Sequence, residues 1–287
     1  MPPATATAIL TLSCADQPGI VHAVAGFLAA HGCNIQDSTQ HSDPATERFF
    51  MRIAFHDPEA AAALPTRRHG FAHIATKFGM DWQLYDAAIR PRVLLMVSKF
   101  DHCLNDLLYR IDSGTLPIDI PTIVSNHPDA GRLAARYTIP FLHLPVTPDT
   151  KPTQEAALLD IVTAEKIELV VLARYMQVLS AELCQKLAGR AMNIHHSFLP
   201  SFKGARPYHQ AHTRGVKLIG ATAHYITENL DEGPIIEQDV ARVNHADTPD
   251  DLIAIGRDVE CQVLSRAVRL HIERRVLRNG QRTVVFR

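Results

Sequence analysis

The sequence predicts an α/β protein with a small N-terminal domain and a larger domain built on a mostly parallel sheet. Its 287 residues suffice for about two domains of ordinary size. In residues 1–86, strand-like and helical patterns follow one another as βαββαβ, which is the order of the ferredoxin-like unit. After residue 91, short apolar runs alternate with helical stretches, a pattern typical of a parallel sheet covered on both faces.

The elements of the first domain follow from local patterns. Asp16–Gly19 has the chemistry of a turn, and the apolar residues after it recur at helical spacing, which predicts a helix over 20–30. A second helix is predicted around Phe71 and Phe78. Strands are predicted at 8–14, 34–40, 48–55 and 81–85.

The second domain is predicted for residues 92–287, after a short linker at 87–91, and is Rossmann-like. Segments 217–227 and 234–243 predict a mixed, partly antiparallel edge of its sheet, and a long helix near 249–276 closes the chain. Apolar runs predict buried strands at 93–97, 122–124, 141–144, 169–173 and 191–194. The helices between them are predicted near 102–112, 128–137 and 153–166.

Composition argues against several classes of protein. The net charge is −1, without the basic excess typical of proteins that bind nucleic acid. No apolar run reaches the ~18 residues that a membrane span needs, and the N-terminus has no signal-peptide pattern. Five scattered cysteines without a Cys-x-x-Cys pair indicate reduced thiols, so we expect a cytoplasmic protein.

The segment most suggestive of chemistry begins at Asn193 and ends at Gly204. Asn193 and His195 are two residues apart on a predicted strand, so their side chains share a face. An amide donor beside an imidazole can stabilise an oxyanion while the imidazole moves protons. From these residues alone, a structural histidine at a strand end and a turn-forming asparagine remain an alternative.

A second polar segment lies between the two predicted edge strands. Glu228–Asp231 forms a polar loop that Gly233-Pro234 ends. A carboxylate there can orient or deprotonate a water molecule, although solvated turn carboxylates are common.

Together the two segments resemble a known family. Asn-Ile-His-x-Ser-x-Leu-Pro-Ser-Phe-x-Gly, with Leu-Asp-x-Gly-Pro-Ile placing Asp231 36 residues after His195, is similar to the catalytic domain of the formyltransferases that use 10-formyltetrahydrofolate. The resemblance covers roughly residues 92–287 and implies that Asn193, His195 and Asp231 are catalytic. It implies that Asn193 and protonated His195 hold an oxyanion, and that Asp231 orients the attacking water and accepts a proton.

The same resemblance implies where the folate binds. Residues 173–180 are similar to the family's folate loop, whose backbone meets the pterin. The implied folate-binding residues are Met176, Gln177, Leu179, Thr227, Glu228 and Leu230. The folate is the substrate, and no bound cofactor is expected.

One departure from the family concerns the acceptor. The ribonucleotide transferases carry a Gly-rich loop after their first strand, whereas Ser98–Leu108 contains no glycine and adds Asp101 at the start of a helix. Without a phosphate site, water is the simplest nucleophile. The chain therefore resembles the formyltetrahydrofolate deformylases, hydrolases of one-carbon metabolism that supply formate for purine synthesis. Alternatives are transfer of the formyl group to an unidentified amine, and a non-enzymatic sensor, against which the intact Asn193, His195 and Asp231 set argues.

The N-terminal domain resembles an ACT domain in Asp16–Ile20 and Gly32–Ile35. This resemblance implies a homo-oligomer, a dimer or tetramer, and a small amino-acid effector such as glycine or methionine near Asp16, Gly19 and Asn34. No metal site is expected, because His196, His209 and His212 lack further ligands at consistent spacing.

Overall fold

The computed structural model describes residues 7–59, 63–197 and 207–287. The chain forms two compact units. The first unit runs to Arg90 and includes Glu273–Asn279 and Thr283–Arg287; the second contains Pro91–Ile272 and Gly280–Arg282. The predicted linker at 87–91 spans this division, but the C-terminal residues that we had assigned to the second domain group mostly with the first unit.

The first unit has the predicted βαββαβ order. Its sheet, within the described residues, has the strand order β2-β3-β1-β4, and each neighbouring pair is antiparallel. Its elements are β1 (Ala8–Ala15), α1 (Ile20–Ala30), β2 (Asn34–Asp43), β3 (Arg48–His56), α2 (Leu64–Phe78) and β4 (Asp81–Asp86).

Alternation along the strands builds the core of this unit. Every second residue of β3 from Phe49 to Phe55 is buried with Leu10 and Leu12 of β1. On the helix side, Val24 and Phe71 belong to the same core. The helices therefore cover one face of the sheet.

A buried ion pair follows β3. The guanidinium of Arg67 donates to both carboxylate oxygens of Asp57, at 2.9 and 3.2 Å, and the Glu59 amide donates to one of them at 3.0 Å. The Asp57 side chain is 1% exposed. Burial disfavours its charge, but the bonds from Arg67 and the amide outweigh that cost and hold the pKa of Asp57 below its usual value.

Asp57→Asn is therefore expected to lower the free energy of unfolding by up to about 3–5 kcal/mol, because it leaves the buried Arg67 guanidinium with only the exposed Glu59 carboxylate, 3.0 Å away, as its charged partner. Urea denaturation measures the loss, with Asp81→Asn, at an exposed carboxylate of β4, as the matched control. Since the folded pKa is lowered, the contribution of Asp57 is present above its unfolded pKa of about 3.9 and is lost as the pH falls. A difference between wild type and Asp57→Asn that does not shrink as the pH falls below that unfolded pKa would contradict this assignment.

The second unit alternates strands and helices up to a mixed edge. Its first elements are β5 (Val93–Val97), α3 (His102–Asp112), β6 (Ile123–Ser125), α4 (Gly131–Arg136), β7 (Phe141–His143), α5 (Lys151–Ala164), β8 (Leu169–Leu172) and α6 (Ala181–Lys186). The remaining elements of this unit are β9 (Ala191–His195), α7 (Pro207–Thr213), β10 (Leu218–Tyr225), β11 (Ile235–Arg242) and α8 (Pro249–Ile272).

The sheet of the second unit has the order β11-β10-β9-β8-β5-β6-β7 among the described residues. Strands β5 to β9 are parallel, whereas β10 runs antiparallel to both β9 and β11. The mostly parallel sheet with an antiparallel edge is thus confirmed. All five residues of β5 are fully buried, as expected of a strand covered on both faces.

The end of the chain differs from the prediction. Helix α8 begins at Pro249 as expected but ends at Ile272, and Arg274 has a positive φ of 57° that helical backbone does not adopt. Two short strands follow, β12 (Val276–Asn279) and β13 (Arg282–Val285), which pair with each other. Gly280 follows the last residue of β12, and the resulting Asn279-Gly280 pair is a hairpin signal that the prediction overlooked.

In the described part of the chain, none of the helices is long and apolar enough to cross a membrane. All five cysteines lie among the described residues and are free thiols.

Candidate active site

The candidate site lies at the edge of the sheet formed by β8, β9 and β10. Asn193, on β9, pairs with Leu172 of β8 on one side and with His224 of β10 on the other. His195 is the last residue of β9, at the carboxyl edge where open α/β sheets place their ligands. Residues 198–204 of the motif lie outside the described residues.

A single cavity of about 210 Å³ brings the predicted residues together. It is also lined by Arg174, His196 and His224, which the sequence analysis had not assigned to the site. The predicted residues that line it are Met176, Gln177, Leu179, Asn193, His195, Thr227, Glu228, Leu230 and Asp231.

Asp231 lies between two imidazoles. Its Oδ2 atom is 3.2 Å from Nδ1 of His195, and its Oδ1 atom is 3.6 Å from Nε2 of His224. Burial opposes ionisation, but hydrogen bonding to the two histidines and their charges outweighs it, so the pKa of Asp231 lies well below its usual range. Asp231 is therefore a carboxylate at neutral pH.

His224 links this carboxylate to Asn193. Its Nδ1 donates to the Tyr225 carbonyl oxygen at 2.9 Å, and its Nε2 lies 3.4 Å from Nδ2 of Asn193. The pairing of β10 with β11 shifts register between Ala223 and His224, an irregularity of the kind that re-aims a side chain. Sequence reasoning missed His224. A usable signal was a histidine within a predicted strand, next to the apolar residues Ala223 and Tyr225.

The predicted folate loop is anchored to β5. The Ser98 amide donates to the Arg174 carbonyl oxygen at 3.2 Å, and the Met176 amide donates to the Ser98 hydroxyl at 2.9 Å. The Met176 amide is therefore already used within the chain. The Met176 and Leu230 side chains, 55% and 64% exposed, offer apolar surface at the cavity instead.

Two of the other predicted folate contacts also have partners within the chain. The Thr227 hydroxyl donates to the Asn229 carbonyl oxygen at 2.9 Å. The Glu228 carboxylate accepts a bond of 2.5 Å from Nε2 of Gln185. A ligand that uses either group must share it or displace its present partner.

A buried polar cluster adjoins the cavity, and it centres on Glu260 of α8. Its carboxylate accepts from His102 at 2.7 Å and from the Tyr208 hydroxyl at 2.9 Å, and Nε of Arg174 lies 3.4 Å away. Burial opposes the charge, but His102 and Arg174 outweigh it and lower the pKa of Glu260. Glu260 lies four residues from Gly256 and four from Leu264, on the buried face of α8. Sequence reasoning missed this signal, a carboxylate at helical spacing among the buried residues of the helix.

The same cluster contains three side chains that could together ligate a metal ion. Within the described residues, His102, Cys103 and Glu260 have ligand atoms within 4.8 Å of one another, and this group does not include His196, His209 or His212. Both Glu260 oxygens already accept hydrogen bonds, and the nearby Arg174 guanidinium would repel a cation. The cluster is better described as an internally balanced ion network.

The start of α3 is the place where the sequence analysis expects no phosphate site. Asp101 immediately precedes the helix instead of lying in its first turn, and its side chain makes no capping bond. His102, the first helical residue, is tied to Glu260.

The predicted effector residues do not meet within one chain. Gly19, with φ 92°, caps α1 near Asp16, and Ala15 pairs with Arg48 at one end of β3. Asn34 pairs with His56 at the other end of β3. The eight residue steps between Arg48 and His56 separate the two places by roughly 26 Å.

Gly233 lets the loop that carries Asp231 approach β10. A methyl group at this position would collide with the Tyr225 carbonyl oxygen and would lie 3.3 Å from Nδ1 of His224. Gly233→Ala is therefore expected to displace Asp231 and lower kcat by ~10²-fold, since small misplacements at a reacting centre cost about that much. Gly26→Ala, where a methyl group meets nothing within 4 Å, is the matched control. Wild-type kcat in Gly233→Ala would show that the close approach does not position Asp231.

Comparisons with known proteins give the class of each part. The formyl transferase family model matches residues 91–268, and the ACT domain model matches residues 8–67. The fold and the site thus define a formyl transferase domain that follows an ACT domain in the chain. A curated relative, the formyltetrahydrofolate deformylase of Corynebacterium sp. (strain P-1), is 54% identical over 97% of this chain and 98% of its own. The chain belongs to the formyltetrahydrofolate deformylase family.

Solved structures agree with this assignment. The crystal structure of formyltetrahydrofolate deformylase from Burkholderia mallei ATCC 23344 matches with a TM-score of 0.94 and 56% identity, over 98% of this chain and all of that one. Glycinamide ribonucleotide transformylase 1 from Symbiobacterium toebii matches with a TM-score of 0.65 and 30% identity, over 71% of this chain and 98% of that one. The transformylase thus lacks a counterpart for more than a quarter of this chain.

Proposed function

We propose that this protein hydrolyses 10-formyltetrahydrofolate to tetrahydrofolate and formate. The observation that carries the proposal is the meeting of Asn193, His195 and Asp231 in one cavity, in a chain similar along nearly its whole length to formyltetrahydrofolate deformylases. The cavity combines apolar side chains with convergent polar groups, as expected of a site for a small organic molecule.

The geometry supports a role for each catalytic group. Asp231 accepts from Nδ1–H of His195, so Nε2 is the ring atom that takes up and returns the second proton. As water attacks the formyl carbon, a C–O bond forms, Nε2 takes the water proton, and the carbonyl oxygen becomes an oxyanion that Asn193 stabilises. The C–N10 bond then breaks, N10 takes its proton from His195, and formic acid leaves and ionises in solvent.

The low pKa of Asp231 suits a role in orienting His195 better than a role in taking the proton from water. A general base works best when its pKa lies near the operating pH, and the pKa of Asp231 is held far below that range. The sequence-based hypothesis had protonated His195 hold the oxyanion and Asp231 take the proton from water. It is replaced by one in which His195 takes that proton, while Asp231 fixes the His195 tautomer and stabilises the imidazolium.

The deciding experiment incubates the purified chain with 10-formyltetrahydrofolate and no amine. We expect stoichiometric formate and tetrahydrofolate, with oxygen from ¹⁸O-labelled water in the formate. A transferase would release little formate until an amine acceptor is added. Formate that forms only with an amine present would overturn hydrolysis in favour of transfer.

We further propose that the first unit binds a small amino acid between two copies of the chain. Asp16 and Glu47 line a second cavity, where carboxylates suit an ammonium group, while Asn34 lies at the far end of the sheet. A site that uses both Asp16 and Asn34 therefore needs a second copy. Calorimetric titration of glycine and of methionine into wild type and Asp16→Ala tests this, with analytical ultracentrifugation for the assembly. Wild type that shows neither heat of binding nor a shift in Tm with either amino acid would contradict the proposal.

A further inference from the structure

His195 and His196 form a stacked pair at the carboxyl edge of the sheet. Neighbouring side chains of a regular strand point to opposite faces. Strand β9 ends at His195, and the two rings instead lie on one side, with centroids 4.6 Å apart and planes inclined by 27°. Both rings line the cavity.

Groups from three other segments surround His196. The Tyr208 ring of α7 lies with its centroid 6.3 Å from that of His196, and the Tyr208 hydroxyl is held by Glu260 of α8. Arg174, in the loop after β8, is paired with the same carboxylate. Gly256 makes room for this arrangement, since a methyl group there would collide with the Tyr208 hydroxyl.

This environment keeps His196 uncharged. Burial, with the nearby charges of Arg174 and His195, lowers the pKa of His196 to about 4. At neutral pH, His196 is therefore a flat, neutral ring against His195. Of the two rings, His195 is the one whose Nδ1 lies 3.2 Å from the Asp231 carboxylate.

We propose that His196 is a positioning residue for His195: its stacked ring, braced by the Tyr208, Arg174 and Glu260 cluster, holds the His195 imidazole with Nδ1 on Asp231. The role rests on the proposed hydrolysis, because it assigns proton transfer to Nε2 of His195. It requires a flat ring at position 196 and does not require a nitrogen atom there. The cluster around Glu260 is thus a support for the site and not a site of its own.

Two substitutions separate stacking from general structural damage. His196→Leu removes the flat ring, and we expect kcat to fall by ~10²-fold with KM changed less than about threefold, as a misoriented catalytic group predicts. His196→Phe keeps the ring, and we expect kcat within about threefold of wild type. His209→Phe, at an exposed histidine of α7, is the matched control and is expected to leave kcat unchanged.

Nuclear magnetic resonance of protein labelled with ¹⁵N-histidine measures the tautomer of the His195 ring directly, and the measurement does not depend on turnover. We expect the Nδ1–H form of neutral His195 in wild type and His196→Phe, and a mixture of tautomers in His196→Leu. Wild-type kcat in His196→Leu, an equal loss in both variants, or an unchanged tautomer in His196→Leu would each overturn the proposal. Failure of wild type to release formate would instead overturn the proposed hydrolysis, and the tautomer measurement would still test the positioning.

Discussion

Asp231→Asn is expected to lower kcat by ~10²–10⁴-fold, the range that proton-transfer catalysis contributes, with little change in folate affinity. The carboxylate accepts from Nδ1–H of His195 at 3.2 Å. An amide can turn its NH₂ group toward Nδ1, which favours the tautomer with the proton on Nε2 and removes the proton acceptor from the cavity. Formate release without an amine measures kcat, and titration with a non-hydrolysable folate analogue measures affinity.

Glu232→Gln is the matched control for this substitution, because it removes one negative charge from an exposed neighbour in the same loop. We expect its kcat to stay near that of wild type. The pH profile adds a second check. Since the pKa of Asp231 is lowered from an ordinary value near 3.9, the carboxylate stays charged above pH ~4. An acidic loss of activity above that pH therefore reports another group and should not be assigned to Asp231.

Asn193→Ala and His195→Ala are each expected to lower kcat by ~10²–10³-fold, or about 2.7–4 kcal/mol of transition-state stabilisation. In the proposed mechanism, Asn193 supplies the oxyanion donor and His195 carries the proton from water to N10. Both variants should still bind the folate analogue, because Met176, Leu230 and the rest of the cavity wall are unchanged. His212→Ala, at an exposed histidine of α7, is the control.

Full formate release by either alanine variant would remove that residue from the catalytic set. Loss of folate binding together with activity would indicate that the substitution disturbed the cavity rather than the chemistry. The double variant Asn193→Ala with Asp231→Asn should lose less than the product of the single losses, because residues that act as a unit are strongly non-additive.

Much of the fold could be predicted from local patterns. A run of five apolar residues at 93–97 predicted a buried strand with the bounds observed, and the polar and apolar spacing at 102–112 predicted α3 with its observed bounds. Both patterns report the burial of a segment, which side-chain polarity decides directly. The short helix α6 at Ala181–Lys186 was missed, although its N-cap residue Ser180, whose hydroxyl accepts from the Leu183 amide, was a usable signal.

The catalytic set could be predicted only in part from physical reasoning. The two-residue spacing of Asn193 and His195 placed both on one strand face, whereas Asp231 came from the resemblance to formyltransferases. His224 and Glu260 were missed: His224 meets Asn193, 31 residues before it, and Glu260 meets His102, 158 residues before it. No local pattern records which buried polar group finds which partner.

The sequence by itself determined the fold class, the ACT and formyltransferase assignments, and which residues to propose as catalytic. Only the tertiary structure decided how those residues are arranged around one another. Cross-strand register set Asn193 beside His224, and the returning loop brought Asp231 against two imidazoles, which hold its pKa below the usual range. The physical reason is that proton affinity depends on distance, burial and neighbouring charge, which exist only once distant segments have packed together.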